Sequence, residues 1–275
     1  MNESPAEYGV VGHPVAHSRS PFIHAIFARQ AAQNMVYRLH DIAPADLQGF
    51  VTDFWQRGGK GLNVTVPHKI AACGLVGTLS ERATRAGAVN TLLMDAGGIT
   101  GDNTDGAGLV RDLKHNLRIA VGSLRVLLLG AGGAARGVLA PLLLLKPREL
   151  VIANRSVGRA LALASEFAAL GPVRAVGFAE LEGDSFDLVI NATAAGLQSD
   201  MPPLPSCVLG AAAICYDLGY AGAGSDTRFT HWAREHGAAQ AHMGLGMLVE
   251  QAAESFYLWR GVRPDTAAVL SALGA

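Results

Sequence analysis

Val126-Leu127-Leu128-Leu129-Gly130-Ala131-Gly132-Gly133-Ala134-Ala135 is the stretch that decides the fold. An apolar run of strand length breaks into glycine, and small residues then open a helical pattern over Gly133–Leu145. The spacing is G-x-G-x-x-A between strand and helix. Gly130 makes the tight turn, Gly132 lets backbone approach a pyrophosphate, and small Ala135 permits close helix–strand packing. The helix start turns unpaired N–H groups toward phosphate. A second strand, Glu149–Ala153, follows at the distance a βαβ unit requires. A ligand-free glycine turn would look similar alone; its flanking elements favour a dinucleotide site.

The end of that second strand chooses between nicotinamide cofactors. An NAD site places a carboxylate there to bind the ribose 2′-hydroxyl. Here Leu150-Val151-Ile152-Ala153 runs into Asn154-Arg155-Ser156, with Arg159 one turn on. Two guanidiniums suit a 2′-phosphate dianion. Cations at a helix start oppose the helix dipole, so solvated surface arginines are the weaker reading. The expected cofactor is NADP.

Outward from this unit the chain alternates strands and helices. Downstream, Arg159–Leu170 reads as a helix, Phe186–Ile190 and Ala212–Tyr216 as buried strands, and Asp226–His236 and Leu245–Trp259 as helices. Upstream, strands are expected at Tyr8–Gly12, Val36–Ile42, Gly61–Val66 and Val89–Met94. Helices are expected at Pro21–Asn34, Pro44–Arg57 and Pro67–Leu75. Two α/β series imply two domains with a cleft between them, each on a largely parallel sheet. The joint is expected between Asp105 and Ser123. Hinge closing over ligands follows as a further expectation.

The composition is consistent with this. Of 275 residues, 50% are hydrophobic and 16% charged, which excludes intrinsic disorder. Twenty-two basic against 23 acidic residues give a net charge of −1 and no footprint for nucleic acid or an anionic membrane. Thirty-three glycines suit an enzyme whose turns bring backbone close to ligands. Cys73, Cys207 and Cys215 are too scattered for a disulfide framework or a zinc site and read as buried thiols in a reducing cytoplasm. The first residues lack the pattern of a signal peptide. Met201–Tyr216 contains three prolines and is too short for a membrane helix.

Polar residues cluster in the first half. Gly12-His13-Pro14-Val15-Ala16-His17-Ser18-Arg19-Ser20-Pro21 follows a strand, and Ser20 before Pro21 reads as an N-cap. Asn63-Val64-Thr65-Val66-Pro67-His68-Lys69 ends another strand, with Asn63 and Thr65 on one side and Lys69 one turn into a helix. Asn90 and Gly101-Asp102-Asn103-Thr104-Asp105-Gly106 come next. Singly, each reads as turn chemistry, and Lys69 with Asp105 as a structural ion pair. His13 and His17 are four apart, but Pro14 argues against a shared helix, and His68 is expected to face out; no metal is expected.

Taken in order, G-x-P-x-x-H-S-x-S-P, N-V-T-x-P-x-K, G-A-V-N-T, G-x-N-T-D-G, G-A-G-G-A, N-R-S and Gly244-Leu245-Gly246-Met247-Leu248-Val249-Glu250-Gln251-Ala252-Ala253 resemble the shikimate dehydrogenase family from Tyr8 to about Gly261. The resemblance implies NADP-dependent, reversible reduction of 3-dehydroshikimate to shikimate in aromatic amino-acid (chorismate) biosynthesis. It implies a catalytic pair, Lys69 and Asp105. It implies substrate contacts at Ser18, Ser20, Asn63, Thr65, Asn90, Tyr220 and Gln251. It places the cofactor against Gly130, Ala131, Gly132, Gly133 and Ala134, against Asn154, Arg155, Ser156 and Arg159, and at Thr193, with Leu218, Gly244 and Met247 near the nicotinamide. It implies a substrate domain of residues 1–105 and 243–275 and a Rossmann-type domain of residues 106–242; the protein is expected in the cytoplasm, as a monomer or homodimer.

Such an inventory suits a small polyol acid, and a lysine held by an aspartate can protonate a ketone oxygen receiving hydride. Two departures stand out. Ala194 and Ala195 replace frequent serines, and Gly219 precedes Tyr220. A quinate/shikimate dehydrogenase or a low-activity paralogue is the nearest rival. A non-catalytic ligand sensor is the rival of another class, opposed by the intact Lys69, Asp105 and glycine loop.

Overall fold

Strand β7 (Arg125–Leu129) is buried on both faces, as Val126, Leu127, Leu128 and Leu129 are all fully covered. Such a strand requires helices on both sides and parallel neighbours. The computed structural model, which describes residues 4–95, 97–193, 201–222 and 225–274, shows this arrangement. The chain forms two compact units, Met1–Gly108 with Leu248–Leu273, and Leu109–Met247.

In the second unit β8 (Glu149–Ala153), β9 (Val173–Val176), β10 (Phe186–Asn191), β11 (Leu209–Asp217) and β12 (Gln240–Met243) join β7 in one parallel sheet. The order is β12-β11-β10-β7-β8-β9. This is the dinucleotide-binding order, with its switch point between β7 and β10, where ligands bind beyond the strand ends. The sequence reading omits β9 and β12, edge strands of four residues each. The helices Gly133–Leu144 and Val157–Phe167 connect β7 to β8 and β8 to β9.

The first unit has the sheet order β2-β1-β3-β5-β6-β4. Here β1 is Ala6–Gly12, β2 Met35–Asp41, β3 Gly61–Val64, β4 Thr78–Leu79, β5 Thr91–Asp95 and β6 Gly98–Asp102. Pairings of β1 with β2 and β3, and of β4 with β6, are parallel. The β5–β6 hairpin adds antiparallel pairing that the sequence reading omits. Its connection is too short for a crossover, and Gly98 takes φ +111° at the turn.

Four local expectations are corrected. No helix runs over Pro67–Leu75. The Lys69 carbonyl accepts the Val89 N–H at 2.8 Å, so it is taken from the helical ladder, and only a short 3₁₀ turn, Ala71–Leu75, follows. His68 does not face out; it is 1% exposed, with Nε2 donating to the Ile42 carbonyl at 2.8 Å. Ser20 is not the N-cap. Ile23 N–H bonds the Arg19 carbonyl, so Arg19 caps and Ser20 is the first residue of helix Ser20–Gln30. Nor are all three thiols buried: Cys207 is exposed and Cys73 half-buried, because their short turns follow the surface.

The helix Leu245–Arg260 supplies Val249, Ala252, Ala253 and Phe256 to a core shared with Ile23, Phe27 and Val269. No described helix is long and apolar enough to cross a membrane.

Candidate active site

The first unit gathers its polar motifs around Asn90. This side chain is 2% exposed. The two hydrogens on its Nδ2 are shared among Thr104 Oγ1 at 2.8 Å, Asp105 Oδ1 at 2.9 Å and Gln251 Oε1 at 3.1 Å. Its Oδ1 accepts from Thr104 N at 2.7 Å and Thr91 Oγ1 at 2.9 Å. Asp105 opens the helix Asp105–Arg111, and its own N–H bonds Asn103 Oδ1 at 3.1 Å. Asp105 Oδ2 receives a short hydrogen bond from Lys69 Nζ.

That ion pair is mostly withdrawn from water, with side chains 11% and 4% exposed. Asn90 fixes one carboxylate oxygen and Lys69 takes the other, so the carboxylate cannot rotate freely. The ammonium has three hydrogens and uses one here. A lysine held this way can stabilise an oxyanion or deliver a proton.

Asn63 is 6% exposed and engaged at both ends. Tyr37 OH donates to its Oδ1 at 2.7 Å, and its Nδ2 points at Asn90 O, Thr91 Oγ1 and Ser255 Oγ. Gln251 stands one turn before Ser255 on one helix and donates to the Leu248 carbonyl at 2.9 Å. Ser18 Oγ donates to Ser20 Oγ at 3.1 Å and accepts the Ser20 N–H at 3.3 Å. Thr65, half-buried, lies one residue past β3, its N–H on the Val11 carbonyl at 2.9 Å. Sequence reasoning missed Tyr37, Thr91 and Ser255 as supports. Ser255, four residues after Gln251 on the same helix, carried a readable signal.

A charged brace lies on the same unit. Arg82 binds Asp102 through two contacts of 2.6 and 2.8 Å and Glu254 at 3.1 Å. Ser80 also donates to Asp102. Burial opposes ionisation of both carboxylates, but hydrogen bonds from Arg82 and Ser80 hold Asp102 below its usual range, and Arg263 together with Arg82 holds Glu254 below its own. The Asp102 backbone directly precedes Asn103, Thr104 and Asp105, so the brace fixes the strand end that presents them.

The second unit carries the nucleotide features. Gly130 has φ +104°, and a Cβ there would stand 3.1 Å from the Ala192 carbonyl oxygen, so glycine is required. Over Gly132 a Cβ would meet nothing within 4 Å, leaving open space at the helix start. Gly132 is the N-cap and, being glycine, has no side chain to cap the helix. The first N–H groups of the helix Gly133–Leu144, among them those of Gly133 and Ala134 after Ala131, are thus presented to a phosphate. Asn154 Nδ2 donates to the Ser156 carbonyl at 3.0 Å, shaping the turn after β8. Arg155 and Arg159 are exposed beside it, and no carboxylate ends the strand. These residues fit a dinucleotide bearing a 2′-phosphate.

Thr193 Oγ1 bonds Asn191 Oδ1 at 2.7 Å; Ala194, Ala195 and Gly196 lie outside the described residues. Leu218 N–H bonds the Asn191 carbonyl at 2.8 Å, and Gly244 N–H the Gly219 carbonyl at 2.9 Å. A Cβ on Gly244 would come within 2.5 Å of the Leu218 carbonyl, so these segments touch only because Gly244 is glycine. Met247 is 7% exposed. Tyr220, half-buried, lies in this unit. Among the described residues no group of His, Cys, Asp and Glu could hold a metal.

Three family models match the chain. They are the shikimate dehydrogenase substrate binding domain over residues 10–92, shikimate/quinate 5-dehydrogenase over 113–198, and the shikimate 5′-dehydrogenase C-terminal domain over 244–273. Shikimate dehydrogenase (NADP(+)) of Aromatoleum aromaticum is 56% identical, covering 97% of this chain and 96% of its own. An Ael1 enzyme from Pseudomonas putida has a crystal structure with TM-score 0.88 and 47% identity, over 98% of each chain. Shikimate 5-dehydrogenase from Thermus thermophilus, in complex with NADP(H) and shikimate, gives TM-score 0.83 and 36% identity over 98% of each chain. With the identity spread over nearly the full length, the chain belongs to the shikimate dehydrogenase family.

Proposed function

We propose that this protein catalyses the reversible NADPH-dependent reduction of 3-dehydroshikimate to shikimate in aromatic amino-acid biosynthesis. The observation that carries the reading is the Lys69–Asp105 pair, nearly buried and oriented by Asn90 among hydroxyls and amides. Bound NADPH supplies the hydride. Lys69 stabilises negative charge developing on the carbonyl oxygen and gives that oxygen its proton. Asp105 keeps the ammonium in place, and Asn90 keeps the carboxylate in place. In the oxidative direction the same pair accepts the hydroxyl proton.

Ser18, Ser20, Asn63, Thr65, Asn90 and Gln251, with Tyr220, are assigned to the substrate. Each offers the donor or acceptor that a hydroxylated ring acid needs. Residues 130–134, Asn154, Arg155, Ser156, Arg159, Thr193, Leu218, Gly244 and Met247 are assigned to NADP. The first unit is accordingly the substrate domain and the second the cofactor domain, in a cytoplasmic enzyme acting as monomer or homodimer.

The test is initial rates of NADP reduction with shikimate, beside quinate and beside NAD, on wild type and Lys69→Ala. Turnover with shikimate and NADP that falls about 10²–10⁴-fold in the variant is expected. Equal rates with quinate or NAD would reassign the protein to a broader specificity, and no turnover with any pair would overturn the catalytic reading.

A further inference from the structure

Within the second unit, two buried side chains meet beneath the backbone of residues 244–247. Asp112 is 3% exposed and Tyr216 fully buried. Tyr216 OH donates to Asp112 Oδ2 at 2.6 Å. Asn116 Nδ2 donates to Asp112 Oδ1 at 2.8 Å. The Met247 N–H, in the first turn of the helix Leu245–Arg260, bonds Tyr216 Oη at 3.3 Å. A Cβ on Gly246 would overlap Asp112 Oδ1, so the carboxylate sits directly against that turn.

A carboxylate at a helix start is favoured by the helix dipole. Burial and the Asp112 charge both raise the Tyr216 hydroxyl well above its usual range, so it stays a donor. Gly246 is glycine because the carboxylate occupies the place of a side chain. The same short segment is held from its other end, where Gly244 N–H bonds the Gly219 carbonyl and Gly244 packs on Leu218.

We propose that Asp112 and Tyr216 form a clamp that positions residues 244–247 against Leu218, and so set the affinity for the nicotinamide half of the cofactor. Neither belongs to the polar cluster around Lys69; they are positioning residues, acting through the backbone they hold. The proposal rests on the assignment of NADP to this unit. The adenine half, assigned to Arg155 and Arg159 at the end of β8, lies at other elements and is not held by the clamp.

The experiment compares the binding of NADPH and of adenosine 2′,5′-bisphosphate, which carries only the adenine half, to wild type, Tyr216→Phe and Asp112→Asn. Tyr216→Phe removes one hydroxyl, and Asp112→Asn keeps an acceptor but removes the charge. The expected result is NADPH affinity about 10-fold weaker in Tyr216→Phe, with bisphosphate affinity within about 2-fold of wild type. In Asp112→Asn, whose oxygen still accepts from Tyr216, the loss should be smaller. Thermal unfolding of each variant shows that it is folded. Equal weakening of both ligands, or no weakening of either, would overturn the clamp. A wild type that binds neither ligand would overturn the NADP assignment instead.

Discussion

The fold changes the chemistry of His24 by burying it. It is 1% exposed, stacked on Tyr37 with ring centroids 4.2 Å apart, and among the described residues neither ring nitrogen has a partner in hydrogen-bond geometry. Burial, offset only in part by the neighbouring Asn63 side chain, pushes its pKa from 6.5 down to about 3. The unfolded chain therefore binds a proton between these values that the folded chain does not. Stability should rise with pH through that window and be independent of this group above it. His24→Phe, at constant ionic strength, should flatten the slope of unfolding free energy between pH 6 and 4 by about 1.4 kcal/mol per pH unit; an unchanged slope in denaturant titrations would refute this. At the same scale, Asn90→Ala removes the anchor of Asp105 and of Gln251 together. It should lower kcat about 10–100-fold while raising KM for shikimate, since it touches both charge and substrate side chains. Steady-state rates in both directions would check it.

At the scale of elements, the strand–helix joints carry the specificity. Gly130→Ala forces a side chain into φ +104° and toward the Ala192 carbonyl. It should cost about 1–3 kcal/mol of stability and weaken NADP binding, read by denaturation and by cofactor titration. Arg155→Ser, at the joint after β8, should raise KM for NADP about 10-fold or more and leave KM for NAD nearly unchanged; equal effects on both would remove Arg155 from the 2′-phosphate site. The hydrophobic runs at β7, β8 and β10 and the glycine turn were readable because burial on both faces and a tight turn leave local marks. The 66–70 turn was not. Its residues suit a helix start, and the hydrogen bond from Val89, twenty residues later in the chain, draws the Lys69 carbonyl away.

For the whole molecule, the chain's return is the decisive feature. Leu248–Leu273 belongs with Met1–Gly108, although 139 residues (Leu109–Met247) intervene. It brings Phe256 and Val249 onto Ile23 and Phe27, Gln251 and Ser255 onto Asn90 and Asn63, and Glu254 onto Arg82. Phe256→Ala should destabilise the first unit by about 3–5 kcal/mol. A chain ending at Met247 should lose that unit's cooperative unfolding transition, visible in calorimetry, while retaining the second unit's; two unchanged transitions would contradict the packing. The second unit has its own brace at the opposite end of its sheet from the glycine loop. There Arg125 and Arg174 each contact both Glu149 and Asp184, and hold both carboxylates below their usual range.

The dinucleotide unit and the preference for a 2′-phosphate were legible in the residues themselves, whereas Lys69, Asp105, Asn90 and Gln251 were joined into one set by the family resemblance. The first two are written in contiguous residues, because turns, strand runs and strand-end charges are local. That Asn90 holds Asp105, that Tyr37 and Ser255 support Asn63, that His68 turns inward, and that Asp112 lies under Gly246 became visible only in three dimensions. Those relations join residues between 15 and 192 positions apart, the spans from Asn90 to Asp105 and from Asn63 to Ser255. Hydrogen bonds act over about 3 Å of space, and chain folding, not spacing along the sequence, brings such partners within that reach.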